Sequence, residues 1–441
     1  MRIHARCVRL DNVIISGILK TADSPEIRRA AEAGHEQLQN ATFLAVFLTK
    51  ESSLVSLWTP TFPRTPAEME SEEQQRVAAL ERYMASLAAI NPSWSDLDKL
   101  KPRTVSQDER RPREVVEIHS SPGFGRYLVA SRNIAAGEVV FREAPLVVAP
   151  KAGSGASCLS CLRPLQDREW LSVLLTPIRT ILLMKKVPAV REVIAALQSH
   201  AEERRRLPIG RFVEEHVAKV LRTRLSLSVD SDIVQHLCGI FDTNAFEFSD
   251  GDIRGRALLP GGALMNHSCT PNTQHWYRNG VMTVRAVVDI PEGAPVTNTY
   301  TNTLWGTRAR GAHLSTSKLF TCRCERCLDP TELGSHISSV LCRGCSDGLL
   351  LPPSDCRADW ECQACGKSVS ASAIETLLRA GGVALGRLPI GDAAAVAAAL
   401  SHLRRVLGNT HYIVVELKYA LVQALMATPL EGKHSKSSTS T

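Results

Sequence analysis

The pattern of apolar and polar positions divides the chain into stretches of different texture. Behind Thr65-Pro66, the residues Val77, Leu80, Met84, Leu87 and Ile90 recur at three- and four-residue steps, which predicts one helix over Pro66–Ile90. From Glu114 the texture changes. Val115–Ile118, Tyr127–Ala130 and Val139–Glu143 predict short strands, with turns at Ser121-Pro122-Gly123-Phe124-Gly125 and Ala136-Gly137. From Trp170 to about Leu237 the apolar residues return at helical spacing. Leu258 to Tyr300 again predicts short strands, clearest at Val281–Val288 and Ala294–Thr299, joined by Asp289-Ile290-Pro291-Glu292-Gly293. Residues 371–427 predict helices rich in Ala and Leu. Pro92, Pro102 and Pro112 mark a linker, and the Lys/Ser/Thr-rich tail from Gly432 predicts disorder.

Composition sets the broad class. The chain has 441 residues, 44% hydrophobic and 22% charged, an ordinary globular balance. No apolar run approaches the roughly 18 residues of a bilayer span. The first twenty residues carry Arg2, Arg6 and Arg9 without an apolar core and small-residue cleavage site. A membrane protein is therefore excluded on this reading, and a secreted one is not expected. The net charge of +7 is mild, and clusters such as Arg204–Arg206 and Arg110-Arg111-Arg113 are expected on solvated helix faces or linkers.

Cysteine changes the picture more. Of 13 cysteines, seven form CxCxxC, CxxC and CxxC between Cys322 and Cys365. Cys342, Cys345, Cys362 and Cys365 are two CxxC pairs at the spacing of a four-cysteine zinc site, with Cys356 between them as a spectator. Cys322, Cys324 and Cys327 supply three thiolates, and Cys269 is the best candidate for the fourth. Two structural zinc ions are thus expected. The ribbon 342–365 holds only Arg343 and Arg357 as basic residues, so direct nucleic-acid binding is not expected.

Several segments together carry a resemblance. They are Gly123-Phe-Gly125-Arg126-Tyr127-Leu128, Ile134-x-x-Gly137-Glu138-Val139-Val140-x-x-Glu143-x-Pro145 and Phe241-x-x-Asn244-Ala245-Phe246. Asn266-His267-Ser268-Cys269-x-Pro271-Asn272, Val296-Thr297-Asn298-Thr299-Tyr300 and Phe320-x-Cys322-x-Cys324-x-x-Cys327 follow in order. The set resembles SET-domain lysine methyltransferases of the SMYD type, most of all their arthropod SMYD-like branch.

The resemblance implies an α+β fold: a SET β core with a pseudoknot, a helical insertion, a post-SET zinc site, a zinc ribbon and C-terminal helices. It implies an N-terminal extension and linker at 1–110 and a SET domain at 111–302, with its insert at about 151–240. The post-SET zinc region follows at 303–330, the zinc ribbon at 331–370, helices at 371–430 and the tail at 431–441. The implied activity is S-adenosylmethionine (AdoMet)-dependent protein-lysine N-methylation of a histone or non-histone protein, in the nucleus, the cytoplasm or both. Tyr300 would be catalytic. Gly123, Gly125, Arg126, Asn244, Asn266, His267 and Phe320 would bind AdoMet. A lysine-containing protein or peptide would be the substrate, with chromatin or repressor partners.

Two departures stand against that pattern. Cys158-Leu-Ser-Cys161 lies where the family inserts its MYND finger, and no further cysteine follows before Cys238, so the finger reads as eroded or absent. The family's aromatic before Pro260 is Leu259. A different class of function, a catalytically weak SET scaffold acting as an interaction or repression module, is the alternative.

Overall fold

The computed structural model describes residues 66–88, 115–150, 171–223, 227–250, 253–353, 357–389 and 391–427. The linker, Arg110–Arg113, the Cys158–Cys161 pair, Cys356 and the tail lie outside the described residues. The chain divides into two compact units, one running to Asn266 and resuming over Asn272–Asn298, the other formed by His267–Pro271 and Thr299 onward.

In the first unit, β1 (Val116–Ser121) and β2 (Gly125–Ala130) form a hairpin in full antiparallel register. β3 (Val139–Glu143) pairs with β9 (Val281–Ala286), which pairs with β8 (Thr273–Arg278). β4 (Val147–Ala149) pairs with β6 (Ile253–Leu258), and β6 with β5 (Phe246–Asp250). The strand regions that the sequence places before and after the helical stretch therefore share sheets. Main-chain bonds from Leu128 N to Leu264 O (3.0 Å) and from Val296 N to Leu128 O (2.9 Å) tie the β1–β2 hairpin to the later segment. β7 (Asn266–His267) is two residues long, and the strand expected over Ala294–Thr299 shrinks to a bridge at Pro295 and to β10 (Thr297–Asn298). Pro295 has no N–H to give a ladder, which accounts for the shortening. β4 escapes the pattern because three consecutive buried residues carry no period.

The helical insertion comprises α2 (Leu171–Lys186), α3 (Pro188–Ala195), α4 (Ala201–Arg205), α5 (Pro208–Val213), α6 (Lys219–Thr223) and α7 (Ser231–Asn244). Asp230 caps α7 by accepting from Asp232 N at 2.8 Å. Arg204 is not on a solvated face: its side chain is 7% exposed and donates to Asp242 Oδ2 at 2.5 Å. A short basic run says nothing about which of its members finds an acid 38 residues away.

The predicted first helix is present as α1 (Pro66–Ala88). It packs on β1, β3, α3 and the short α8 (Pro260–Ala263). Leu80 is fully buried in the core of this unit, with Tyr83 and Met84 against it. Fully burying a leucine contributes about 1.5–3 kcal/mol.

The second unit begins with α9 (Thr307–His313) and α10 (Glu325–Leu328). A four-stranded antiparallel sheet follows, from β11 (Val340–Leu341), β12 (Leu349–Leu351), β13 (Trp360–Cys362) and β14 (Ser368–Val369) in sequence order. Three helices close the unit: α11 (Ala371–Arg387), α12 (Ala393–Leu407) and α13 (Tyr412–Ala427). Ser370 and Asp392 cap α11 and α12 through their side-chain oxygens. Buried Trp360 joins Val396, Leu407 and Val414 in a second core.

Candidate active site

The β1–β2 turn is built by Gly125 at φ +63°, a conformation that disfavours any Cβ. A Cβ placed on Gly123 or Gly125 would meet nothing within 4 Å, so the main chain of this turn faces open space. Asn266 Nδ2 donates to Phe124 O at 3.2 Å, joining two of the segments expected at the cofactor. The loop thus fits a ligand that needs close main-chain approach.

Arg126 is already paired. Its Nη1 donates to Glu73 Oε2 of α1 at 2.7 Å, with 11% of its side chain exposed. Ser120 Oγ donates to the other oxygen of Glu73 at 3.0 Å. Burial holds the guanidinium below the ordinary arginine value, and Glu73 opposes that shift. Sequence reading found the helix but not this acid, because a Glu in the first half of an amphipathic helix gives no sign of its distant partner.

The same helix reaches Glu143. This carboxylate is fully buried and accepts from Gly261 N at 2.9 Å, Gly262 N at 2.7 Å and Tyr83 Oη at 2.9 Å. Burial pushes its pKa up to about 7, against the lowering effect of those three donors. Asn244 ends α7, and its Nδ2 donates to Gln198 O at 2.7 Å and Ile240 O at 2.8 Å. Its amide nitrogen is thus used to hold the insertion, and any ligand contact falls to its oxygen.

In the second unit, His267, Tyr300 and Phe320 come together. Their ring centroids lie 5.3 Å (His267–Tyr300), 5.9 Å (His267–Phe320) and 6.4 Å (Tyr300–Phe320) apart. Tyr300 N donates to His267 Nδ1 at 3.0 Å, and His267 Nε2 lies 3.2 Å from Cys269 Sγ. Burial pushes the Tyr300 phenol well above its ordinary value, so it keeps its proton at neutral pH. Burial also takes His267 down to about 4, leaving the ring neutral. Lys318 Nζ stands 5.7 Å over the Tyr300 ring.

Both sets of four cysteines converge. In Cys269, Cys322, Cys324, Cys327 and in Cys342, Cys345, Cys362, Cys365 the sulfurs all lie within 4.8 Å of one another. Sulfur–sulfur distances are 3.4 Å (Cys269–Cys327), 4.0 Å (Cys269–Cys322), 3.8 Å (Cys342–Cys365) and 3.7 Å (Cys345–Cys362). A tetrahedron with metal–sulfur bonds of about 2.3 Å has edges of about 3.8 Å, so the donor sets fit zinc. Gly344 N and Ala364 N donate to Cys342 and Cys362 Sγ, at 3.1 and 3.4 Å. Gly348 is required there, since a Cβ would sit 2.3 Å from Cys362 Sγ. Backbone donors, that of Cys365 first, pull Cys362 down to about 6, toward the thiolate a metal needs.

The first cluster has a charged support that sequence reading missed. Arg310 is fully buried; its Nε donates to Cys269 Sγ at 3.1 Å and its Nη1 to Glu332 Oε2 at 2.8 Å. Arg326 donates to the same oxygen at 3.1 Å and to Cys269 O at 3.2 Å. Burial raises the Glu332 carboxyl, but hydrogen bonds from Ser338 and Arg310 outweigh it and leave the pKa lowered. Four thiolates around one divalent ion carry a charge of about −2, and two guanidiniums against one carboxylate offset part of it. Arg326 lies inside the CxCxxC run and was visible as a basic residue there; Arg310 carried no signal.

The SET-domain family model matches residues 125–301. The Drosophila melanogaster SET domain-containing protein SmydA-8 is 32% identical over 344 residues, covering 64% of this chain and 72% of that protein. The chain belongs to the SMYD-type SET-domain family. The SET match spans β2, the helical insertion and Tyr300, and leaves α1 before it. Human N-lysine methyltransferase SMYD2 is 37% identical over 100 residues, 22% of this SET protein and 23% of its own length. A solved SET domain of LSMT bound to lysine and AdoHcy is similar over 58% of each chain, at 15% identity and a TM-score of 0.37.

Proposed function

We propose that this SET protein is an AdoMet-dependent protein-lysine N-methyltransferase. The observation that carries the reading is Tyr300: a half-buried, protonated phenol held by its own main chain to His267. AdoMet would supply a methyl group on a positively charged sulfur. Gly123 and Gly125 would give its methionyl end close main-chain approach, and Arg126 a cation for its carboxylate. Asn244 (through its oxygen), Asn266 and His267 would hold its polar groups, and Phe320 would pack on adenine.

A lysine amine has an ordinary pKa of about 10.4 and must be neutral to attack. Tyr300 keeps its proton at neutral pH, so it cannot act as the base that removes the amine's proton. Its hydroxyl instead orients the amine, and the protein contributes alignment, which can be worth several kcal/mol. The substrate would be a lysine-containing peptide or protein, histones included, met in the nucleus or the cytoplasm. The human relative's name, an N-lysine methyltransferase, supports this class of reaction.

One observation favours the scaffold alternative. The cation needed for the AdoMet carboxylate is held by Glu73. The two readings separate on the Tyr300→Phe variant of the zinc-loaded full chain. Removing the hydroxyl should leave folding and AdoMet affinity nearly unchanged and lower methyl transfer by about 100-fold or more. A Phe variant as active as wild type removes Tyr300 from the chemistry.

A further inference from the structure

We infer that His267 is a positioning residue that couples the main chain of Tyr300 to the sulfur cluster of Cys269, Cys322, Cys324 and Cys327. The ring is bonded at both ends. Tyr300 N can only donate, so Nδ1, 3.0 Å away, must be the unprotonated acceptor. In a neutral ring the single proton then sits on Nε2, whose partner at 3.2 Å is Cys269 Sγ. The surroundings therefore dictate the tautomer, and one rigid ring bridges a sulfur and the amide of the tyrosine.

The ring packs against both Tyr300 and Phe320, at 5.3 and 5.9 Å. Cys269 Sγ is itself held by Arg310 Nε at 3.1 Å and is 3.4 Å from Cys327 Sγ. A metal at the centre of the four sulfurs would fix Sγ at one vertex, strengthen it as an acceptor, and so set the position of Nε2. A shift of Cys269 is then carried across the ring to Tyr300 N. On the other side, the turn made by Thr299 Oγ1 donating to Thr301 O at 2.9 Å leaves the Tyr300 amide facing the histidine. The catalytic consequence rests on the methyltransferase reading; the coupling itself does not.

The test uses the full chain loaded with zinc, with histidine and tyrosine labelled with nitrogen-15. In wild type, His267 should be the Nε2–H tautomer. Exchanging zinc for the larger cadmium should shift the Tyr300 amide resonance. His267→Asn keeps an oxygen near the Nδ1 position but loses the donor to sulfur, so the same exchange should leave the Tyr300 amide unmoved. Turnover of the Asn variant should fall roughly 10- to 100-fold. A wild-type Nδ1–H tautomer, or a Tyr300 shift on metal exchange that survives in His267→Asn, overturns the proposal. The tautomer measurement needs no variant and so stands even if substitution disturbs folding. A protein that shows the coupling but neither binds AdoMet nor transfers methyl groups would refute the methyltransferase reading and leave the coupling intact.

Discussion

Glu143 makes the stability of the first unit depend on pH in a calculable way. The carboxyl is fully buried between α1 and α8, and its pKa rises from the ordinary 4.5 to about 7. Below 4.5 it is protonated in both folded and unfolded chains. Between 4.5 and about 7 only the folded chain keeps the proton, so stability declines as pH rises through this window and levels off above it. A shift of that size corresponds to about 3 kcal/mol. Glu143→Gln has no proton to lose and serves as the reference. Urea unfolding, followed by circular dichroism at fixed ionic strength from pH 4.5 to 8, gives the difference between wild type and variant. Cysteine protonation and metal release affect both proteins alike and cancel. Relative to the variant, wild type should lose about 3 kcal/mol across the window. A difference constant to within about 0.5 kcal/mol would show that Glu143 is not buried as described, and with it that α1 does not seat on the core.

Other outcomes follow from the same structure. Metal analysis should find two zinc ions per chain, and Cys324→Ser or Cys345→Ser should each cost one; a value of one or none in wild type contradicts the two clusters. Arg310→Ala should destabilise by about 3–5 kcal/mol in urea unfolding, because it strands buried Glu332 and the thiolates; a change below about 1 kcal/mol would show that the charge is not needed. Leu80→Ala should lower stability by about 2–5 kcal/mol, and near-neutral behaviour would detach α1 from the core. Glu73→Gln should tighten AdoMet binding by up to about 5-fold, since it frees Arg126 from a resident carboxylate; weaker binding would mean that Glu73 helps hold the loop.

Much of this was readable from residues alone, for physical reasons. Zinc coordination demands thiolates at fixed spacing, so both cysteine clusters could be assembled on paper, down to the distant Cys269. The helix at Pro66–Ala88 followed from its period, and Ile90, at the expected boundary, lies outside the described residues. What the period could not convey was the helix's partner. Glu73 on Arg126 and Tyr83 on Glu143 are bonds across more than 50 residues, and either acid could equally have faced water. Arg310 and Arg326 were hidden for the same reason, since a buried arginine differs from a surface one only in what lies around it. Asn244 stands in one of the motifs read from the sequence, but the bonds that hold its amide to α7 and to Gln198 depend on how the insertion packs.

The central claim is tested most directly by calorimetric titration of AdoMet into the zinc-loaded full chain. The account predicts saturable binding of one AdoMet per chain, weakened in Phe320→Ala and retained in Tyr300→Phe. Absence of binding to wild type, with both zinc ions present and the chain folded, would contradict it and leave a SET scaffold in place of an enzyme.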